Sequence, residues 1–200
     1  MIKVGELAPD FTLAAHDGGS LSIKSLRGTK VLLWFYVEAN TPGCTLEGRG
    51  FRDHQSYFDE NNIRVVGVSF DSPEDNAAFA RKHQFGFPLL SDADHAVAIA
   101  YGACPNADAR YPDRVSFLID EHGTIERVYD QVDPRDHPAR VLANVSPHRP
   151  TWRAEPLETK TGWRSRGGLE TPVSREVFPK ENTRECWDIS GRNRLTSSRE

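Results

Sequence analysis

The stretch Val31-Leu32-Leu33-Trp34-Phe35-Tyr36, followed at once by Val37-Glu38-Ala39-Asn40-Thr41-Pro42-Gly43-Cys44, decides how the chain is read. Six apolar and aromatic residues without polar alternation suit a strand buried on both faces, at the centre of a sheet. A polar loop follows, and from Thr45 to Asn61 the residues Leu46, Phe51, Tyr57 and Phe58 recur among charges as in an amphipathic helix. A strand therefore delivers one thiol, Cys44, to a helix N-terminus. Unpaired N–H groups and the helix dipole at that end favour an anion, here the nucleophilic thiolate. Thr41 can aim a hydroxyl into the same place, and Pro42-Gly43 holds the loop tight while letting backbone approach a ligand. The competing reading makes Cys44 an inert core residue, since buried free cysteines are common.

Working outward, Ala8-Pro9-Asp10-Phe11-Thr12-Leu13 and Leu21-Ser22-Ile23 bracket the turn signal Asp17-Gly18-Gly19-Ser20, giving an N-terminal β-hairpin. Ile63 to Phe70 is a second central strand. Asp71-Ser72-Pro73-Glu74-Asp75 opens a helix, with Ser72 as N-cap, Pro73 in the first helical position and acids in the first turn; it runs to about His83. Leu89-Leu90-Ser91-Asp92 is a short extended piece, Asp94 to Tyr101 a helix stopped by Gly102. Val115 to Asp120 turns at Glu121-His122-Gly123 into Thr124 to Tyr129, a second hairpin. His137 begins a last helix, cut short by Ser146-Pro147. Gly48 and Gly50 weaken the helix after Cys44 by up to ~1 kcal/mol each relative to alanine. The alternation of strands and helices predicts an α/β protein, a mixed central sheet with helices on both faces, compatible with a thioredoxin-like fold.

The 200 residues carry a net charge of −4. That leaves no basic field for nucleic acid, and no polybasic patch or run of ~20 apolar residues points to a membrane. The first residues lack a secretory pattern, so a cytoplasmic protein is expected. Three cysteines, Cys44, Cys104 and Cys186, are too few for a disulfide framework. The seven histidines form no ligand pair with a third partner, and no Cys-x₂-Cys is present, so neither metal nor cofactor is expected. The charge is uneven: 11 Lys+Arg against 8 Asp+Glu from Ser146 onward gives +3, which leaves −7 for residues 1–145. Residues 146–200 are punctuated by prolines and have no apolar period, so they are read as an irregular extension, either a non-native continuation such as a shifted reading frame or a disordered partner-binding arm.

Thr41-Pro42-Gly43-Cys44-Thr45-Leu46-Glu47 with Gly50-Phe51-Arg52-Asp53 resembles the signature of the peroxiredoxins, most closely their Q-type, or bacterioferritin-comigratory-protein, branch. Ala8-Pro9-Asp10-Phe11, Val66-Gly67-Val68-Ser69, Phe87-Pro88-Leu89-Leu90-Ser91-Asp92 and Arg114-Val115-Ser116-Phe117-Leu118-Ile119-Asp120 resemble further family segments in the same order. The resemblance spans about residues 3–145 and implies a thioredoxin fold and thiol peroxidase activity toward hydrogen peroxide and alkyl hydroperoxides. It implies Cys44 as the peroxidatic cysteine, oxidised to a sulfenic acid. Arg114 would keep the thiol ionised and stabilise charge on the peroxide, and Glu47 would orient the arginine. Thr41 and the N–H groups of Gly43 and Cys44 would bind the substrate oxygen. Thioredoxin or a small thiol would be the reductant, and the protein a monomer or homodimer.

Two positions depart from the family. Val37 stands where the motif has a proline that shields the site, which implies a looser pocket and reduced activity. Arg49 stands where many Q-type members have a resolving cysteine. Either the enzyme uses one cysteine and an external thiol, or Cys104 resolves. A general thiol oxidoreductase is disfavoured, because no second cysteine lies two or three residues from Cys44. The alternative function is a catalytically weak redox sensor or interaction module.

Overall fold

The structure, a computed structural model, describes residues 1–130 and 132–145. The expected extension over 146–200 lies outside the described residues, together with Cys186. The N-terminal hairpin forms from β1 (Thr12–Ala15) and β2 (Ser20–Ser22). A 3₁₀ turn over Ile23–Leu26 follows, and Gly28 turns the chain with φ 86° before the central strand. That strand, β3 (Lys30–Phe35), is the apolar run, and α1 (Pro42–Asp53) and α2 (Gln55–Glu60) follow its loop. Then come β4 (Ile63–Ser69), α3 (Pro73–His83), β5 (Leu89–Ser91), α4 (Ala96–Tyr101), β6 (Val115–Ile119), β7 (Ile125–Tyr129) and α5 (His137–Asn144).

The strands make one mixed seven-stranded sheet in the order β2-β1-β5-β4-β3-β6-β7. β4 lies parallel to both β3 and β5, whereas β6 runs antiparallel to β3. Strand period two splits the apolar run between two cores. Val31, Leu33 and Phe35 pack with Val66, Phe117 and Tyr101 on the α4 side. Leu32, Trp34 and Tyr36 pack with Phe51, Phe58, Phe79 and Val141 on the side covered by α1, α2, α3 and α5. Both layers are buried, which is why the run shows no polar alternation. This is the thioredoxin-like fold, with the N-terminal hairpin joined to the sheet where Ala14 pairs with Ser91 of β5.

Two features differ from the sequence reading. The single helix expected to Asn61 is broken at His54 (φ −110°, ψ 17°), whose Nδ1 lies 2.8 Å from the Gly50 carbonyl. Apolar periodicity continues across the break because α2 still turns Phe58 into the core, so the pattern could not reveal it. The second difference concerns the helical glycines. A Cβ at Gly48 would lie 2.6 Å from Phe85 Cζ, and one at Gly50 would lie 2.4 Å from Pro138 Cγ. Propensity alone calls both residues a weakness; packing makes them the condition for docking Phe85 and α5 against α1. The α3 start is as read: Ser72 Oγ accepts the Asp75 N–H at 3.1 Å, and Gln84 closes the helix in the left-handed region at φ 56°.

Gly50→Ala tests which effect wins. The Pro138 ring is rigid and sits on a helix, so the substitution is expected to destabilise the protein by about 1–3 kcal/mol as overpacking does. The urea unfolding midpoint should fall accordingly; a midpoint at or above that of the parent chain would show that propensity dominates.

Candidate active site

Local sequence sets the entry to α1. Asn40 takes the left-handed conformation (φ 63°), which asparagine tolerates better than most residues. Thr41 is extended as N-cap, and Pro42 occupies the first helical turn, where its missing N–H costs nothing. Cys44 therefore falls within the first turn of α1. The loop is tied to the α3 side of the fold: the Ala39 N–H donates to Asp71 Oδ2 at 2.9 Å, and Lys82 Nζ donates to Asn40 Oδ1 at 3.1 Å. Val37, expected to loosen the pocket, packs against the aromatic core that includes Trp34 and Tyr36. The buried Tyr36 hydroxyl hydrogen-bonds Asn76 Oδ1, and burial pushes its titration far up, so it stays a neutral phenol.

Arg114 directly precedes β6. Antiparallel pairing of Phe35 with Val115 puts the start of β6 beside the end of β3, from which the Cys44 loop departs. The guanidinium Nη2 comes 3.4 Å from Cys44 Sγ, and Nη1 forms an ion pair with Glu47 Oε2. Partial burial works against the Arg114 charge, but Glu47 and Cys44 outweigh it and hold its titration above the ordinary arginine range. Gly43 makes room: a Cβ there would lie 3.0 Å from Nη2 and 3.5 Å from Pro134 Cγ. Cys44 and Glu47 are both 0% exposed. Beside them an open, mainly apolar groove of about 680 Å³ is lined by Pro42, Gly43, Leu46, Val132 and Pro134 among others.

Cys44, Arg114, Glu47 and Gly43 are thus brought together. The Thr41 hydroxyl is engaged differently from the expectation: it donates to the Glu38 carbonyl at 2.9 Å, inside its own loop, and keeps its lone pairs to accept. Cys104 is not brought to the site. It belongs to the core on the α4 side of the sheet and Cys44 to the core on the opposite side. Its thiol faces the Asn106 carbonyl at 3.6 Å, and burial, with Asp92 nearby, pushes its titration up. Sequence reasoning missed His137. It is 0% exposed, and its Nδ1 lies 2.6 Å from Glu47 Oε1. The only sequence signal was its place in the first turn of a helix whose apolar face must meet α1. Among the described residues, no cluster of His, Cys, Asp or Glu could hold a metal ion.

Residues 4–128 match the AhpC/TSA family. Peroxiredoxin Bcp of Escherichia coli K12 is 37% identical over 152 residues, which cover 74% of this chain and 97% of that protein. The crystal structure of peroxidoxin BcpB from Mycobacterium tuberculosis superposes with a TM-score of 0.67 at 33% identity, covering 72% of this chain and 96% of the other. The bacterioferritin comigratory protein of Xanthomonas campestris, whose structure bears on alkyl peroxide reduction, gives 0.64 at 28% identity, covering 68% and 89%. With the fold already described, these relatives make the protein a peroxidase that works through a thiol, an oxidoreductase of the peroxiredoxin class. The chain belongs to the AhpC/TSA family.

If the Arg114 fork serves the chemistry, Arg114→Ala should slow the second-order reaction of Cys44 with hydrogen peroxide by about 10²–10³, the usual loss for one aimed donor. Arg114→Lys should recover only part of this, because one ammonium cannot span both Cys44 and Glu47 as the guanidinium fork does. Rapid-quench trapping of the sulfenic acid measures both rates, and unchanged rates would remove Arg114 from the reaction.

Proposed function

We propose that Cys44 is the peroxidatic cysteine and that hydrogen peroxide and alkyl hydroperoxides are its substrates. The observation that carries this reading is the 3.4 Å approach of Arg114 Nη2 to Cys44 Sγ by a guanidinium whose other nitrogen is held by a buried carboxylate. A cation fixed there supports the thiolate and lies where the peroxide oxygens would carry negative charge. The sulfur attacks one peroxide oxygen. The S–O bond forms as the O–O bond breaks, the sulfur gives up two electrons, and the departing hydroxide or alkoxide leaves as water or alcohol after taking a proton. The Thr41 hydroxyl can accept from the peroxide O–H while it remains tied to Glu38. N–H groups of Gly43 and Cys44 complete the donor set, and the apolar groove beside Gly43 suits an alkyl substituent.

The sulfenic acid is then returned to the thiol by thioredoxin or a small thiol, in two exchanges that release water and form a disulfide on the reductant. Placement of Cys104 across the sheet favours the one-cysteine route, because a disulfide needs Cα atoms within about 7 Å. The protein acts as a monomer or homodimer in the cytoplasm, where such thiols stay reduced.

Peroxide consumption coupled to thioredoxin or a small thiol tests this reading. Cys44→Ser should abolish turnover, and Cys104→Ser should leave it within about twofold, as for a change away from the chemistry. Peptide mapping under non-reducing conditions after peroxide treatment should find no Cys44–Cys104 linkage. Turnover that survives in Cys44→Ser would overturn the assignment of Cys44, and a Cys44–Cys104 disulfide would replace the one-cysteine route by the two-cysteine one.

A further inference from the structure

His137 lies outside the chemistry described so far, yet it touches the group that holds the catalytic arginine. It stands at the start of α5, wholly buried, edge-on to Phe51 of α1 (ring centroids 5.4 Å apart) and to Tyr129 of β7 (5.3 Å). Its Nδ1 meets Glu47 Oε1 at 2.6 Å, whereas its Nε2 is buried without a partner among the described residues. A proton on Nε2 would be an orphaned donor, so the partners assign the Nδ1–H tautomer, with the proton directed at Glu47.

Glu47 has two oxygens and Arg114 has two terminal nitrogens. An isolated arginine–carboxylate pair prefers the bidentate arrangement, both nitrogens on both oxygens. Here the fork is split: Nη1 serves Oε2 of Glu47, and Nη2 serves the Cys44 sulfur. The oxygen that a bidentate pair would have used, Oε1, is taken by His137. We propose that His137 is a positioning residue: by occupying Glu47 Oε1 it keeps Arg114 from closing on the carboxylate and so keeps Nη2 directed at Cys44. Without that donor, Oε1 would be a buried, unpaired anionic oxygen, and the nearest remedy is for the guanidinium to swing onto it and leave the sulfur. The helix α5 thereby acts on the thiol through two intervening side chains, although it contributes no group that meets the substrate.

The proposal rests on the reading of Cys44 and Arg114 as the reacting pair, and the experiment separates the two. In the full chain, the rate of sulfenic acid formation with hydrogen peroxide is measured for His137→Phe, His137→Asn and His137→Gln, alongside Arg114→Ala. Phenylalanine keeps the ring volume and loses the donor. Asparagine places an amide N–H near the position of Nδ1, and glutamine carries it one methylene too far. Loss of a charge-assisted hydrogen bond predicts that His137→Phe slows the reaction about tenfold to a hundredfold, with His137→Asn restored to within about threefold and His137→Gln left slow. Alkylation of Cys44 by iodoacetamide, which needs no stabilised peroxide oxygen, should fall less than the peroxide reaction. In a Glu47→Gln background the carboxylate's pull on the arginine is gone, so the His137 substitutions should have little further effect. Should His137→Phe fail to fold, the comparison of asparagine with glutamine decides alone. Equal rates for asparagine and glutamine, or a His137 effect that persists in full with Gln at 47, would overturn the positioning role. If Arg114→Ala itself leaves the peroxide rate unchanged, the reading of the reacting pair fails instead.

Discussion

One guanidinium shared between a buried thiol and a buried carboxylate is the constraint on which the rest depends. Arg114 spans Cys44 and Glu47, and both are removed from solvent. Attraction between unit charges about 4 Å apart is on the order of 4 kcal/mol in partly buried surroundings. Taking an ionised group out of water costs several kcal/mol. These magnitudes are comparable, so the ion pair with Arg114 and the contact with His137 offset the cost of burying Glu47. The site is assembled from three places in the chain: Cys44 and Glu47 on α1, Arg114 just before β6 and His137 on α5.

The sheet provides the arginine by register. β6 runs antiparallel to β3, so its first residue lies beside the last residue of β3, and the loops leaving those two ends converge. A shift of one residue in that pairing would turn Arg114 away, and it would also exchange the two buried faces of β6. Glycines then set the distances. Gly43 lets the guanidinium lie against the first turn of α1, and Gly50 lets α5 lie against its last turns. The helix that presents the thiol is thus thin on both of the sides where the site needs close approach.

The sheet also separates what the sequence could only place side by side. Cys44 and Cys104 appear as two candidate redox partners in the chain, but they occupy opposite layers. Burial keeps the Cys104 thiol protonated and therefore a poorer nucleophile. Arg49, exposed on α1, stands where a neighbouring cysteine would be the family alternative.

By itself, the sequence determined the alternation of strands and helices, the doubly buried central strand, the N-cap at Ser72 and the thiol at the start of a helix. These follow from local patterns: period, caps and turn residues act within a few positions, and the chain states them openly. The ordered motifs also made Thr41, Glu47 and Arg114 legible as candidates through family resemblance, although spacing alone does not join residues 44 and 114. Tertiary structure decided the rest. It broke the helix at His54, turned the Thr41 hydroxyl onto Glu38, put Cys104 behind the sheet and brought His137 onto Glu47. A hydrogen bond between residues 90 positions apart leaves no periodic trace, because it is fixed by which faces the sheet and helices bury against one another.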